Sequence, residues 1–295
     1  MSRAASPSTG KAYGLVKVCA AWGLPRFTFY RGRASRPAPK RRGPVGLHRD
    51  AKLVRHIRAL IMETPFTAGG YRKVWARLRF RGVRTSPQRT LRLLRENQLL
   101  TFQRPGNSHG PKAHDGTIKT QRVDEMLGTD MTSILTSKDG NVSVFFVIDH
   151  CSLECLGVHA SIRGTRYEAL EPIRQILRHS FAAFGEKAAS GLTLRHDHGS
   201  QFVSHFYQDE LKFAGIKSSP SYVREPQGNS IAERFVRFLK ENLLWIRGFE
   251  TAENVRHALL EFKETYNREW IVARHGYKTP TQVREAQRVA LKAAA

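Results

Sequence analysis

Three carboxylates in this chain occupy settings that suit metal chemistry. Asp130 lies within a strand-like run, Asp197 follows the strand-like run 192–196 and opens a turn, and Glu233 lies on a helix after the Gly-containing stretch 226–230. Strand ends and a helix can deliver three oxygen ligands to one place, as Mg²⁺-dependent phosphoryl transfer requires. Because the chain has 25 acidic residues among 295, acidic pairs fall at such separations by chance, so the surrounding residues must support the assignment.

A cluster of these three acids implies a bound cation or shared protons. Like charges brought together repel and raise at least one pKa. Hard oxygen ligands, with little Cys or His nearby, favour Mg²⁺ or Mn²⁺ over Zn²⁺. The sequence therefore predicts a Mg²⁺ or Mn²⁺ site with two ions, which can activate a water or a 3′-hydroxyl and neutralise the leaving 3′-oxygen.

The helix around Glu233 adds basic groups to the predicted site. Arg237 and Lys240 follow Glu233 at i+4 and i+7, so all three lie on one face. Glu233 can then hold a cation while Lys240 reaches an adjacent phosphate. An exposed ladder of salt bridges is the simpler interpretation of this helix alone. The upstream acids Asp130 and Asp197 favour the ligand-binding interpretation.

Positive charge is concentrated in the N-terminal part of the chain. The net charge is +24; residues 1–122 hold 27 Lys/Arg against 4 Asp/Glu, and residues 123–295 hold 22 against 21. A basic block beside a neutral one predicts a module that grips double-stranded DNA, joined to a working domain. A solubility tail and an anionic membrane surface are less favoured, because the block has helical apolar periodicity and no long basic amphipathic helix.

Cysteine usage and hydropathy indicate the compartment. Cys19, Cys151 and Cys155 cannot form a disulfide framework, which favours a reducing environment. No run of 18 apolar residues and no N-terminal signal core occur. We therefore expect a cytoplasmic protein that associates with the nucleoid when bound to DNA, without a membrane partner.

The basic block carries signals for short helices. Residues 12–34 predict two helices around a turn, and further helices are expected at 50–63, at 70–80 and from Ser86-Pro87 onward. On the 70–80 helix, Phe80 is expected to face inward and the basic residues outward. The candidate DNA contacts on these helices are Arg72, Lys73, Arg77, Arg89 and Arg92.

Beyond residue 122 the pattern changes to strands and then to alternating helices and strands. Strands are expected at 127–135, 142–149, 155–162 and 192–196, with a short extended run at 216–223. Helices are expected at about 168–184, 204–214, around Glu233 and at 251–268. This order predicts an α/β domain with a mixed sheet covered by helices.

Residues from about 124 to 283 resemble the catalytic core of DDE transposases and retroviral-type integrases. They are most similar to the second reading-frame product of the insertion-sequence-three family of bacterial transposases. The resemblance rests on the segments 128–132, 145–149, 196–202, 228–235 with 239–240, and 266–268 with 275–280. The family often has an aromatic residue where this chain has Gly128, and an Asp where it has Gly228.

The resemblance implies a ribonuclease-H-like core with a five-stranded mixed sheet. It implies that Asp130, Asp197 and Glu233 are the metal-binding catalytic triad and that Lys240 contacts DNA. The expected activity is Mg²⁺-dependent cleavage and strand transfer at the terminal inverted repeats of an insertion sequence, into target DNA. The expected assembly is a homo-oligomer, with the upstream reading-frame product as fusion or partner. The alternatives are a catalytically silent DNA-binding regulator and a general nuclease of the same fold.

The resulting domain organisation has six parts. They are a helix-turn-helix-like basic segment at 1–34, a basic linker at 35–49, a helical DNA-binding domain at 50–100, a linker at 101–122, the integrase-type catalytic core at 123–285 and a C-terminal tail at 286–295.

Overall fold

A computed structural model describes residues 4–33, 48–66, 69–101, 118, 120–180, 185–221 and 229–294. The chain divides into two compact units, Met1–Leu47 and His48–Ala295. Most of the two expected linkers, at 35–49 and 101–122, lies outside the described residues. The six-part division of the chain stays a prediction.

The first unit contains two helices, α1 (Gly14–Ala21) and α2 (Arg26–Arg33), at the positions expected from the sequence. Cys19 is buried in α1. A helix pair of this size encloses little apolar surface, so most of its aromatic side chains remain exposed.

Three helices form a small basic layer at the start of the second unit. They are α3 (Asp50–Glu63), α4 (Tyr71–Phe80) and α5 (Pro87–Glu96). The Ser86 hydroxyl accepts a hydrogen bond from the Arg89 N–H, and Pro87 occupies the first helical position, as expected for this helix start. Phe80, expected to face inward, is 66% exposed. It follows the last buried position of α4, Leu78, and so falls on the opposite side of the helix.

The rest of this unit is built on a five-stranded sheet. Its strands are β1 (Met126–Thr136), β2 (Gly140–Asp149), β3 (Cys155–Ser161), β4 (Thr193–His196) and β5 (Lys217–Pro220), in the order β3-β2-β1-β4-β5. The first three strands pair antiparallel, whereas β4 and β5 run parallel to β1. This confirms the mixed α/β, ribonuclease-H-like fold class expected from the sequence.

Helices cover both faces of the sheet. They are α6 (Arg166–Ala169), α7 (Glu171–Ser180), α8 (Ser200–Val203), α9 (His205–Phe213), α10 (Ser230–Leu239), α11 (Ala252–Glu269) and α12 (Pro280–Ala294), with a π-helical turn at Lys240–Leu244. The single helix expected at 168–184 is divided into α6 and α7 around Pro172, which has no N–H to continue the helix. α12 was not expected, and it crosses the predicted start of the C-terminal tail at 286. None of the helices in the described residues is long and apolar enough to span a bilayer.

The alternation of β2 explains how the sheet is buried on both sides. Phe146 and Ile148 face a core shared with α10 and α11, whereas Phe145 and Val147 face a core shared with α7 and α9. Each of the two cores covers one face of the sheet. β1 is the central strand of the sheet, and helices pack on both sides of it.

Candidate active site

Asp130 lies in the middle of β1, where helix α10 crosses the sheet. Phe235 of α10 packs on Phe146, with ring centroids 4.8 Å apart, and Phe146 is the β2 residue paired with Asp130. The Asp130 carboxylate accepts a hydrogen bond of 2.7 Å from the Met131 N–H. Burial of the side chain raises the pKa of Asp130 to about 6. The packing therefore brings α10 onto the face of the sheet that carries Asp130.

The charges around Asp130 come from the residues that the sequence singles out. The negative charges of Asp197 and Glu233 contribute to the raised pKa of Asp130, and the positive charge of Lys240 opposes it. The other two predicted acids and the predicted phosphate-binding lysine thus act electrostatically on Asp130. Three carboxylates near the single positive charge of Lys240 form a site with an excess of negative charge, which favours binding of a further cation.

Asp197 is held by a turn directly after β4. Its Oδ1 accepts the Gly199 N–H at 2.9 Å, and its backbone carbonyl accepts a hydrogen bond from His196 Nδ1 at 2.6 Å. His196 Nε2 lies 2.8 Å from the Ser218 hydroxyl of β5. His198 lies 2.6 Å from the Ser221 carbonyl through its Nε2. Both histidines therefore position the turn that carries Asp197.

Glu233 lies in the first turn of α10 and is exposed at the surface. Partial desolvation raises its pKa. Arg237, expected on the same face, forms a salt bridge of 2.9 Å with Glu241. Of the three residues on this face of the helix, Glu233 and Lys240 belong to the candidate site. Arg237 instead pairs with Glu241 along the helix surface.

The three carboxylates are not arranged as a finished set of metal ligands. Within the described ranges, no group of three His, Cys, Asp or Glu side chains is close enough to hold a metal ion. The chemistry of the set nonetheless fits a divalent cation, because all three donors are hard oxygens, and because desolvation and the two neighbouring acids disfavour a negative charge on Asp130 that a cation would stabilise. The assignment of the triad as ligands stays a prediction.

Lys73 and Arg77, expected to face outward from α4, lie instead against the C-terminal end of α11. Lys73 Nζ is 2.7 Å from the centroid of the Trp270 ring, and Arg77 Nη2 donates to the Glu269 carbonyl at 2.9 Å. Burial, with a smaller effect of the Arg77 charge, lowers the pKa of Lys73 to about 7. The exposed neighbour Arg72 keeps the expected outward position.

Arg89 and Arg92 share a carboxylate at the start of α3. Arg89 Nη2 lies 2.5 Å from Asp50 Oδ1, and Arg92 Nη2 lies 2.7 Å from Asp50 Oδ2. Arg92 also pairs with Glu96 at 2.7 Å. Hydrogen bonds from Arg92 and Arg89 lower the pKa of Asp50. These two arginines join α5 to α3, so part of their charge is neutralised within the fold.

One contact near the site was not anticipated from the sequence. The Asn229 side chain donates a hydrogen bond of 3.0 Å to the Thr129 carbonyl, the residue before Asp130. The signal that could have found it is the place of Asn229, directly before α10 and four residues before Glu233. The contact ties the start of the Glu233 helix to the Asp130 strand.

Residues 214–280, which include Glu233, Lys240 and helix α11, match the family described as Integrase core domain. Over this stretch the chain resembles an integrase core. It is also homologous to the transposase InsD for insertion element IS2A/D/F/H/I/K of Escherichia coli, with 24% identity over 243 residues, covering 79% of this chain and 78% of that protein. The InsD of IS2D from strain K12 matches to the same extent.

Solved structures of integrase cores resemble part of the chain. The catalytic core domain of BIV integrase covers 57% of this chain and 99% of its own, with 19% identity and a TM-score of 0.43. The HTLV-2 integrase catalytic core domain in complex with magnesium covers 55% and 96%, with 18% identity and a TM-score of 0.39. The resemblance to transposases and integrases inferred from the sequence is confirmed for this integrase core.

Proposed function

We propose that this integrase core cleaves DNA at the ends of an insertion sequence and joins the cut ends to target DNA, using Asp130, Asp197 and Glu233 as its metal-binding triad. One observation supports the assignment most directly. Asp130 lies half-buried in the middle of the central strand, where desolvation raises its pKa to about 6 and the Asp197 and Glu233 charges add to the shift. A site with this excess of negative charge is suited to Mg²⁺ or Mn²⁺, and we propose two ions.

Bound metal would supply the Lewis acidity that activates a water or 3′-hydroxyl and stabilises the leaving oxygen. The protein's own part is to hold three carboxylates from separate elements around one phosphate. Asp130 is fixed by the central strand, and Asp197 is fixed by its turn and by His196. Glu233 enters from α10, and its exposed position leaves room for DNA beside it.

Lys240 is proposed to contact a DNA phosphate beside the metal site. It begins the π-helical turn Lys240–Leu244 at the end of α10, two turns beyond Glu233. Its charge reaches Asp130 across the site. A lysine two helical turns beyond Glu233 can hold the phosphate next to the one that reacts, because its ammonium group is a mobile point charge.

The basic N-terminal block is proposed to grip the element end. Residues 1–122 carry an excess of 23 positive charges, and such a surface releases phosphate counterions on binding DNA. Among the arginines predicted for this role, Arg72 is exposed, whereas Arg89 and Arg92 are partly engaged by Asp50. Assembly of several copies on paired ends, and fusion to an upstream reading-frame product, are part of the proposal.

A labelled duplex with the element's own terminal repeat tests this function against its alternatives. With Mg²⁺, we expect nicking at the repeat boundary and strand-transfer products, and neither with a scrambled duplex. Binding without nicking, with and without the upstream frame, would indicate a silent regulator. Equal cutting of both duplexes would indicate a general nuclease.

A further inference from the structure

Two buried side chains beside Asp130 carry polar atoms without partners. His150 is 2% exposed and Asn229 is 3% exposed. Both ring nitrogens of His150, and Oδ1 of Asn229, have no hydrogen-bond partner among the residues that the structure describes. Leaving a buried polar group without a hydrogen-bond partner destabilises the folded state. Three such atoms in one small region therefore indicate a specific role.

The two side chains border the same space above Gly128. A Cβ placed on Gly128 would lie 2.9 Å from His150 Nε2 and 3.4 Å from Asn229 Oδ1, so both atoms border the same space. Gly128 is two residues before Asp130 on β1, which places both residues on the same face of the sheet. A side chain at position 128 would separate His150 from Asn229.

The hydrogen-bonding capacities of the two side chains are complementary. Burial, with smaller effects of the Arg195 and Arg274 charges, lowers the pKa of His150 to about 4. The imidazole is therefore neutral at pH 7 and has one N–H to donate. The side-chain oxygen of Asn229 can only accept. A donor and an acceptor thus border the space above Gly128.

The other end of the Asn229 side chain is already fixed. Its Nδ2 donates to the Thr129 carbonyl at 3.0 Å, next to Asp130. Asn229 is the N-cap residue of α10, and Glu233 follows one helical turn later. Movement of Asn229 would therefore change the position of Glu233 relative to Asp130.

We propose that His150 and Asn229 are a positioning pair on two sides of the space above Gly128: a hydrogen bond from His150 Nε2 to Asn229 Oδ1, which is not formed in this structure, forms when Glu233 approaches Asp130 across the metal site and then holds the first turn of α10 there. The proposal rests on the proposed function of the site. Neither residue touches the reacting atoms, so the pair acts through the carboxylates. Partners of this kind, one step behind metal ligands, change metal affinity or activity by about 10–100-fold.

Four variants of the full-length chain separate this role from simple packing. His150→Leu removes the donor and keeps an apolar filling. His150→Gln supplies a side-chain amide N–H near the position of His150 Nε2. Gly128→Ala inserts a methyl group between the partners. His159→Leu is the control for loss of a histidine side chain as such, because His159 lies half-buried on β3 and its ring pairs with Glu168, at 2.6 Å.

The readouts are the Mn²⁺ dissociation constant from calorimetric titration and the Mg²⁺ concentration that gives half-maximal end cleavage. We expect His150→Leu and Gly128→Ala to weaken Mn²⁺ binding by about 10–100-fold, with His150→Gln restoring most of the affinity. His159→Leu should leave the affinity unchanged. Thermal melting establishes that each variant is folded.

Three results overturn the proposal. The first is wild-type Mn²⁺ affinity in folded His150→Leu. The second is equal loss of affinity in His150→Gln and His150→Leu, which would assign a packing role. The third, decisive if His150→Leu does not fold, is wild-type affinity in Gly128→Ala. A wild-type chain that binds Mn²⁺ but does not cleave refutes the proposed function separately, and one that binds no Mn²⁺ refutes both.

Discussion

Lys73 and Trp270 join the basic helical layer to the C-terminal end of α11 through a cation placed 2.7 Å from the centre of an aromatic ring. Phe66 packs against the same indole at 5.3 Å. Lys73 has no carboxylate partner among the described residues. The contact buries a positive charge without a carboxylate partner, which destabilises the folded state. The cation–π interaction with the Trp270 ring offsets part of this destabilisation.

The burial of Lys73 predicts that stability depends on pH. Its pKa is about 7 in the folded chain and 10.5 ordinarily, so the unfolded chain binds more protons between these values. Stability should therefore rise as pH increases from 7 to 10.5, and the cost of the buried charge should be fully present below pH 7. We expect Lys73→Met to stabilise the protein by about 1–3 kcal/mol at pH 6 and by less at pH 9.

Urea unfolding at the two pH values measures this effect. Lys52→Met, on the exposed face of α3, removes the same charge without burial and serves as the control. Equal effects of Lys73→Met at pH 6 and pH 9 would contradict the buried-charge explanation.

The orientation of α4 predicts that its basic residues contribute unequally to DNA binding. Arg72 is exposed, whereas Lys73 and Arg77 face Trp270 and the Glu269 carbonyl. Arg72→Ala should lower the slope of log K against log salt by about 1, and Arg77→Ala should leave that slope unchanged. Filter binding across a salt series gives both values. A flat salt dependence of the wild-type chain would contradict the assignment of the basic block as the DNA grip.

Removal of Asp50 should affect stability and DNA binding in opposite directions. Asp50→Ala breaks the contacts that hold Arg89 and Arg92 between α5 and α3, with an expected cost of about 1 kcal/mol because the groups are partly exposed. It also releases Arg89 from its carboxylate partner, whereas Arg92 keeps its pair with Glu96; the freed charge of Arg89 should increase DNA affinity. Glu186→Ala, an exposed acid, makes the same change in net charge, and an equal gain in affinity from it would refute the local explanation.

Gly157 allows helix α7 to approach β3 closely. A Cβ at this position would lie 2.4 Å from the Pro172 carbonyl oxygen, so backbone must move to admit it. We expect Gly157→Ala to destabilise the core by about 1–3 kcal/mol. Gly185→Ala, where a Cβ would meet nothing within 4 Å, is the control. Denaturant unfolding compares the two variants. Equal unfolding midpoints would show that a methyl group at position 157 does not disturb the contact between α7 and β3.

The sequence predicts the sheet well because its information is local. The apolar run of β2 and the turn at Asp139-Gly140 determine the first hairpin, and the strand-like run 192–196 before Asp197 determines β4. The grouping of the three acids stays a prediction, which rests on these strands and on the amphipathic pattern of α10. The charge effects on Asp130 agree with that grouping.

The features that escaped prediction depend on distant partners. α12 is anchored by Arg284, which pairs with Asp124 at 2.6 Å and with Glu154. Lys73 faces inward because Trp270 supplies a ring nearly two hundred positions later. Helical periodicity alone identifies neither partner, and it cannot distinguish a solvated basic face from one that contacts another layer.

The central claim is tested most directly by strand transfer of a labelled element end with the Asp197→Asn variant. Asn keeps the shape of the side chain and removes the charge that acts on Asp130. We predict the loss of both end cleavage and strand transfer, with DNA binding and melting temperature nearly unchanged. Asp209→Asn, an exposed acid on α9, should retain full activity. Strand transfer by Asp197→Asn at the wild-type rate would contradict the assignment of this site.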